Sequence, residues 1–111
     1  MKINIFGSEW NIITLPSNDT TFTEDCGGYC DQSSKTICLR DYTIEELVGI
    51  RDIEALKKYV LRHELIHAAL LECGLGDNWV RNPTGHDETG VDWLAHKMPQ
   101  LISILNEAEA L

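Results

Sequence analysis

The sequence predicts an α+β fold, with a small N-terminal β-sheet of about three strands leading into a helical C-terminal two-thirds. Three observations carry this reading. Short β-branched and aromatic runs alternate with turn residues over the first forty positions, the apolar spacing changes after Asp41 to threes and fours, and capping residues stand before the later segments. With 111 residues, 43% of them apolar, the chain suits one domain spanning residues 1–111, whose functions share a single core. Eighteen Asp and Glu against nine Lys and Arg give a net charge of −9. That balance argues against nucleic-acid binding, because nonspecific affinity there comes from Lys and Arg releasing counterions. Met1 to Gly7 lacks the uninterrupted apolar core of a signal peptide, and no stretch has membrane-spanning length. A soluble, cytoplasmic chain with no membrane partner is expected.

Lys2 to Phe6 and Trp10 to Leu15 read as strands, ended by Pro16-Ser17-Asn18-Asp19, and suggest a hairpin or meander. Cys26-Gly27-Gly28-Tyr29-Cys30-Asp31 reads as a turn-rich loop, followed by an alternating strand from Lys35 to Arg40. The four cysteines, Cys26, Cys30, Cys38 and Cys73, are expected to be reduced. Their spacings do not fit the paired knuckles of a zinc ribbon, and Cys26 and Cys30 read as turn residues. Thr43-Ile44-Glu45-Glu46 fits a capping box opening a short helix. Asp52 can cap a longer, mostly enclosed helix with an inward stripe of Ile53, Leu56, Val60, His63, His67 and Leu70, ended by Gly74. Residues 76–85 form a polar connection. A third helix begins near Asp87, with Glu88, Asp92, Ala95, Pro99, Ile102 and Leu105 on one face and Pro99 kinking or splitting it. Trp10, Trp79 and Trp93 read as core or loop-anchoring aromatics, with Trp79 also a candidate for lining a cleft.

The chemistry concentrates in Arg62-His63-Glu64-Leu65-Ile66-His67, which holds His-Glu-x-x-His inside the strongest helical stretch. At 3.6 residues per turn His63 and His67 stack on one face, close enough to share a zinc ion. Glu64 projects beside that face, better placed to hold a water than to ligate. Two imidazoles and a carboxylate in an enclosed helix all need partners, and a metal ion supplies one. The third ligand comes from Glu88, Asp87, Asp92, His86 or His96. Glu88 is favoured because it and Asp92 lie four apart on the apolar face of the last helix. Asp92 then accepts the second ring N–H of a ligand histidine. His96 is an alternative ligand, surface group or partner of Asp92. His86 is expected to be exposed, with ligation or oxyanion stabilisation as its alternatives.

His63-Glu64-Leu65-Ile66-His67 with Ala68-Ala69-Leu70, and Glu88 with Asp92, resemble the active-site and glutamate helices of the zincin metallopeptidases, specifically minimal gluzincin-like domains. Thr36 to Arg40 looks like the edge strand of that zincin-like fold. The layout around Gly28-Tyr29-Cys30-Asp31 and Val91-Asp92-Trp93-Leu94-Ala95 is similar to small peptidase-like proteins of phages and prophages, distant relatives of mobile-element peptidases that cleave repressors. Asp87 stands where larger gluzincins carry Asn. The resemblance implies a zinc-dependent hydrolase of peptide bonds in which Glu64 is the general base and a peptide or protein substrate adds as a strand along Thr36 to Arg40. The competing expectations are a noncatalytic zinc-stabilised interaction module and a regulatory partner with a decayed site.

Overall fold

In the computed structural model, which describes residues 1–76 and 85–111, β1 (Lys2–Ile5) and β2 (Ser8–Pro16) form an antiparallel hairpin. Phe6 and Gly7 between them both have positive φ, as a mirror-image two-residue turn requires. Strand β2 then pairs in parallel with β4 (Thr36–Asp41), from Asn11 opposite Thr36 to Pro16 opposite Asp41. The crossover between them contains β3 (Gly28–Asp31), which folds back antiparallel onto β4. The order β1-β2-β4-β3 makes a mixed four-stranded sheet.

Three sequence-based expectations change here. The sheet has four strands, not about three, and it is mixed rather than a meander. Cys26 to Asp31 is not only a loop, because its second half is β3. Thr36 to Arg40 is not an edge, because both sides of β4 are already paired, so the free edge beside the helices belongs to β3. A glycine opens β3 for a steric reason: a Cβ on Gly28 would lie 2.7 Å from the Cys38 carbonyl oxygen and 3.2 Å from Glu64 Cγ.

One sheet face carries Ile5, Trp10, Ile12 and Ile37 into the core, with Trp10 and Ile37 fully buried. Helix α1 (Ile53–Glu72) covers this face with Leu61, Leu65, Ala68 and Ala69. The expected inward stripe is thus rotated: Glu64 and Ala68 are the buried positions of α1, while His63 and His67 are half-buried on the neighbouring face. Asp52 Oδ1 caps α1 by accepting the Ala55 N–H at 2.9 Å. At the other end Gly74, at φ +79°, reverses the chain so that its own N–H reaches Leu71 O and the Leu75 N–H reaches Leu70 O, both at 3.1 Å. This paired closure satisfies carbonyls the helix would otherwise leave bare.

Between β4 and α1, the Thr43 capping box forms, with the Thr43 N–H on Glu46 Oε1 and the Glu46 N–H on Thr43 Oγ1. No helix follows it. The chain makes turns that end at Gly49, φ +86°, too short a run for a helical nucleus to propagate. Helix α2 (Glu88–Glu107) runs through Pro99 without splitting, and Asp87 caps it by accepting the Gly90 N–H at 3.1 Å. No helix among the described residues is long and apolar enough to cross a membrane. All four cysteines are free thiols, with Cys30 in β3 rather than in a turn and Cys38 in β4, the strand its alternating pattern predicts.

The end of α1 is tied to the hairpin by Glu72. Its carboxylate accepts from Trp10 Nε1 at 2.7 Å and Ser8 Oγ at 2.9 Å, and pairs with Lys35 Nζ at 3.0 Å. Lys35 first, then Trp10 and Ser8, hold this carboxyl below its ordinary value. A depressed folded value means the tie stabilises the fold above the ordinary glutamate range and is lost as acid protonates the folded carboxylate. Glu72→Gln is therefore expected to lower the melting temperature at neutral pH and to melt with wild type in strong acid. An equal deficit at both pH values would remove charge from the explanation.

Candidate metal centre

Helix α1 presents Tyr59, His63 and His67 one above the other on the side facing α2. The first turn of α2 brings Glu88 against them, and the second brings Asp92. His63 Nε2 lies 2.7 Å from Glu88 Oε1 and 3.1 Å from His67 Nε2, and His67 Nε2 lies 3.4 Å from the same Glu88 oxygen. The structure thus brings His63, His67 and Glu88 together as a group able to hold a metal ion. Asp92 Oδ1 sits 2.9 Å from His63 Nδ1, on the far side of that ring. Asp92 is placed to accept the Nδ1–H of His63, which leaves Nε2, the atom facing Glu88 and His67, as the nitrogen that could ligate an ion.

The other candidate ligands are placed elsewhere. Asp87 is spent as the α2 cap. His96 is exposed and stacks on the Tyr59 ring at 4.4 Å, outside the metal-capable group. His86, expected at the surface, is buried at 2% exposure. Its Nε2 lies 2.7 Å from His67 Nδ1, and its Nδ1 lies 3.2 Å from the Leu75 carbonyl oxygen. Trp10 belongs to the core, whereas Trp93 is 54% exposed and anchors nothing there. Trp79, and all of the connection except its ends, falls outside the described residues.

Glu64 lies between α1 and β3, 5% exposed, and does not join the ligand group. Burial pushes its carboxyl above the ordinary value, with Glu88 adding to the rise and His63 and Cys30 opposing it. Cys30 Sγ is 3.2 Å from the Glu64 carbonyl oxygen and 3.6 Å from Glu64 Oε2. Desolvation pushes the Cys30 thiol up strongly, so it stays protonated and donates. Burial likewise lowers the His67 value, against the pull of Glu88, which favours the neutral imidazole a metal needs. These groups line a cleft of about 780 Å³ whose further wall is Tyr42, Leu56, Tyr59 and Val60.

Sequence reasoning missed Cys30, Tyr59 and the inward turn of His86. Tyr59 had a readable signal, because it stands four residues before His63; its hydroxyl donates to Asp92 Oδ1 at 3.2 Å. Arg62 was missed as well, and it sets the helices in register. Pro99 has no N–H, so the Ala95 carbonyl four residues earlier lacks its regular helical donor. Arg62 Nε donates to that oxygen at 2.8 Å, fastening the residue beside His63 to the helix that carries Glu88 and Asp92.

Compared with known proteins, the chain matches no family model, no curated protein and no solved structure.

Arg62→Ala is expected to cost about 1–3 kcal/mol in chemical denaturation, the penalty of stranding a buried carbonyl. In a Pro99→Ala background, where residue 99 regains an N–H for Ala95, most of that cost should vanish. Equal costs in the two backgrounds would show that Arg62 acts through something else.

Proposed function

We propose that this chain is a zinc-dependent peptidase in which His63, His67 and Glu88 hold the ion and Glu64 is the general base. The observation that carries the reading is the approach of His63 Nε2, His67 Nε2 and Glu88 Oε1 to within 3.4 Å of one another. With Asp92 placed to accept the His63 Nδ1–H, the Nε2 atoms of both histidines and Glu88 Oε1 converge on a space where a cation would satisfy all three. Two imidazoles and one carboxylate are a donor set suited to zinc, and no fourth Cys, His, Asp or Glu joins the group among the described residues. Three protein ligands would leave a zinc ion a fourth position for water, which favours the catalytic reading over the structural one.

Zinc bound there would bring the pKa of a water toward neutrality and polarise a peptide carbonyl. Glu64, its affinity for protons raised by burial, takes a proton from the attacking water on its carboxylate and delivers it to the leaving amine nitrogen. Cys30 steadies the Glu64 side chain by donating to Oε2. The substrate pairs as an added strand on the free edge of β3, where Gly28, Tyr29 and Cys30 line the cleft, rather than on β4. Tyr42, Leu56, Tyr59 and Val60 offer an apolar and aromatic wall for one of its side chains. A soluble cytoplasmic peptidase of the mobile-element type fits this reading.

Purified wild type is expected to carry one zinc per chain by elemental analysis, and Glu88→Ala to lose it. Glu64→Gln should keep the zinc while peptide hydrolysis falls by about 100-fold or more, the usual loss when a general base is removed. A Glu64→Gln protein without zinc would contradict the separation of base from ligands. Zinc bound by wild type with no hydrolysis of any peptide in a broad library would favour the noncatalytic zinc-stabilised module.

A further inference from the structure

We propose that His86 is a positioning residue for the metal centre, receiving the Nδ1–H of His67 on its own Nε2 and so turning the His67 Nε2 lone pair toward the ion. The inference rests on the zinc reading above and extends it to a residue outside the ligand set. Its direction follows from a chain of three groups that begins at a backbone oxygen. The Leu75 carbonyl can only accept, so the proton between it and His86 sits on His86 Nδ1. With Nδ1 so engaged, Nε2 of His86 is the nitrogen placed to accept, and the atom 2.7 Å away, His67 Nδ1, is its donor. His67 is left with a lone pair on Nε2, the atom that faces His63 Nε2 and Glu88 Oε1.

The anchor of this chain is rigid for reasons set in the sequence. Leu75 follows Gly74, and its N–H is bound to Leu70 O in the closure that ends α1, so its carbonyl is held by the same helix that carries His67. His86 is 2% exposed, which removes water as a competitor for its ring nitrogens. The two histidines of the site are thereby oriented by different devices. Asp92 from α2 orients His63 with a carboxylate, whereas His86 orients His67 through a relay that ends on a backbone carbonyl. A relay ending on a carbonyl sets the tautomer without placing a second carboxylate behind His67.

The test measures zinc affinity by competition with a chromophoric chelator for wild type, His86→Ala and His86→Gln, with apo-protein melting followed alongside. Glutamine can accept from His67 through Oε1 and donate to Leu75 through its amide. His86→Ala is expected to bind zinc about 10–100-fold more weakly, the usual cost of removing an outer partner of a ligand histidine, and His86→Gln to recover most of that loss. Equal affinity in His86→Ala and wild type would overturn the inference, and so would weak binding in both variants with unchanged melting. Failure of wild type to take up zinc would instead overturn the metal reading on which the inference rests. A two-bond proton–nitrogen NMR spectrum of the apo wild type reads the ring tautomers directly and needs no variant to fold. His67 protonated on Nδ1 and bare on Nε2 supports the relay, and the opposite tautomer refutes it.

Discussion

Helix α1 packs Leu61, Leu65 and Ala68 against the sheet and carries His63 and His67 on the adjoining face, so the seating of one helix fixes both the core and the site. Glu64 marks the boundary between these duties. It points toward β3 with the core residues, yet it is a carboxyl in a place where its neighbours are Gly28 and Cys30. The helix can come this close to the sheet only because position 28 has no side chain. A larger residue there would lift α1 off β3 and carry the histidines away from Glu88 and Asp92.

Most of the architecture was legible in local pattern. The β1–β2 hairpin, β4, the Asp52 and Asp87 caps and the Gly74 stop all follow from alternation and capping chemistry that act over a few residues. What was hidden depends on partners distant in sequence. Strand β3 has four residues and opens on a glycine, so it looks like a turn until β4 pairs with it. The capping box at Thr43 is sound local chemistry that lacks enough following residues to become a helix. The rotation of the α1 stripe was hidden for another reason: with apolar residues on several sides, periodicity alone does not say which side meets the sheet.

The site shows the same division. His63, Glu64 and His67 are legible because the helix itself sets their spacing. Glu88 and Asp92 could be nominated from their four-residue interval, and the fold brings both to His63. His86 was not legible. Nothing in its neighbours says that it turns inward, since the carbonyl that receives its proton belongs to Leu75, at the far side of the connection.

Pro99 and Arg62 bear on how such a chain can drift. A proline within a helix is ordinarily a defect to be tolerated; here its missing donor has become the socket for a side chain from the neighbouring helix. The two positions are expected to vary together although they stand 37 residues apart. An ancestor without the proline would have left Arg62 free to vary, and a descendant that loses the arginine is under pressure to lose the proline too. Related chains that carry the proline should therefore carry the arginine too, and a lineage caught with the proline alone would hold its two site helices in looser register.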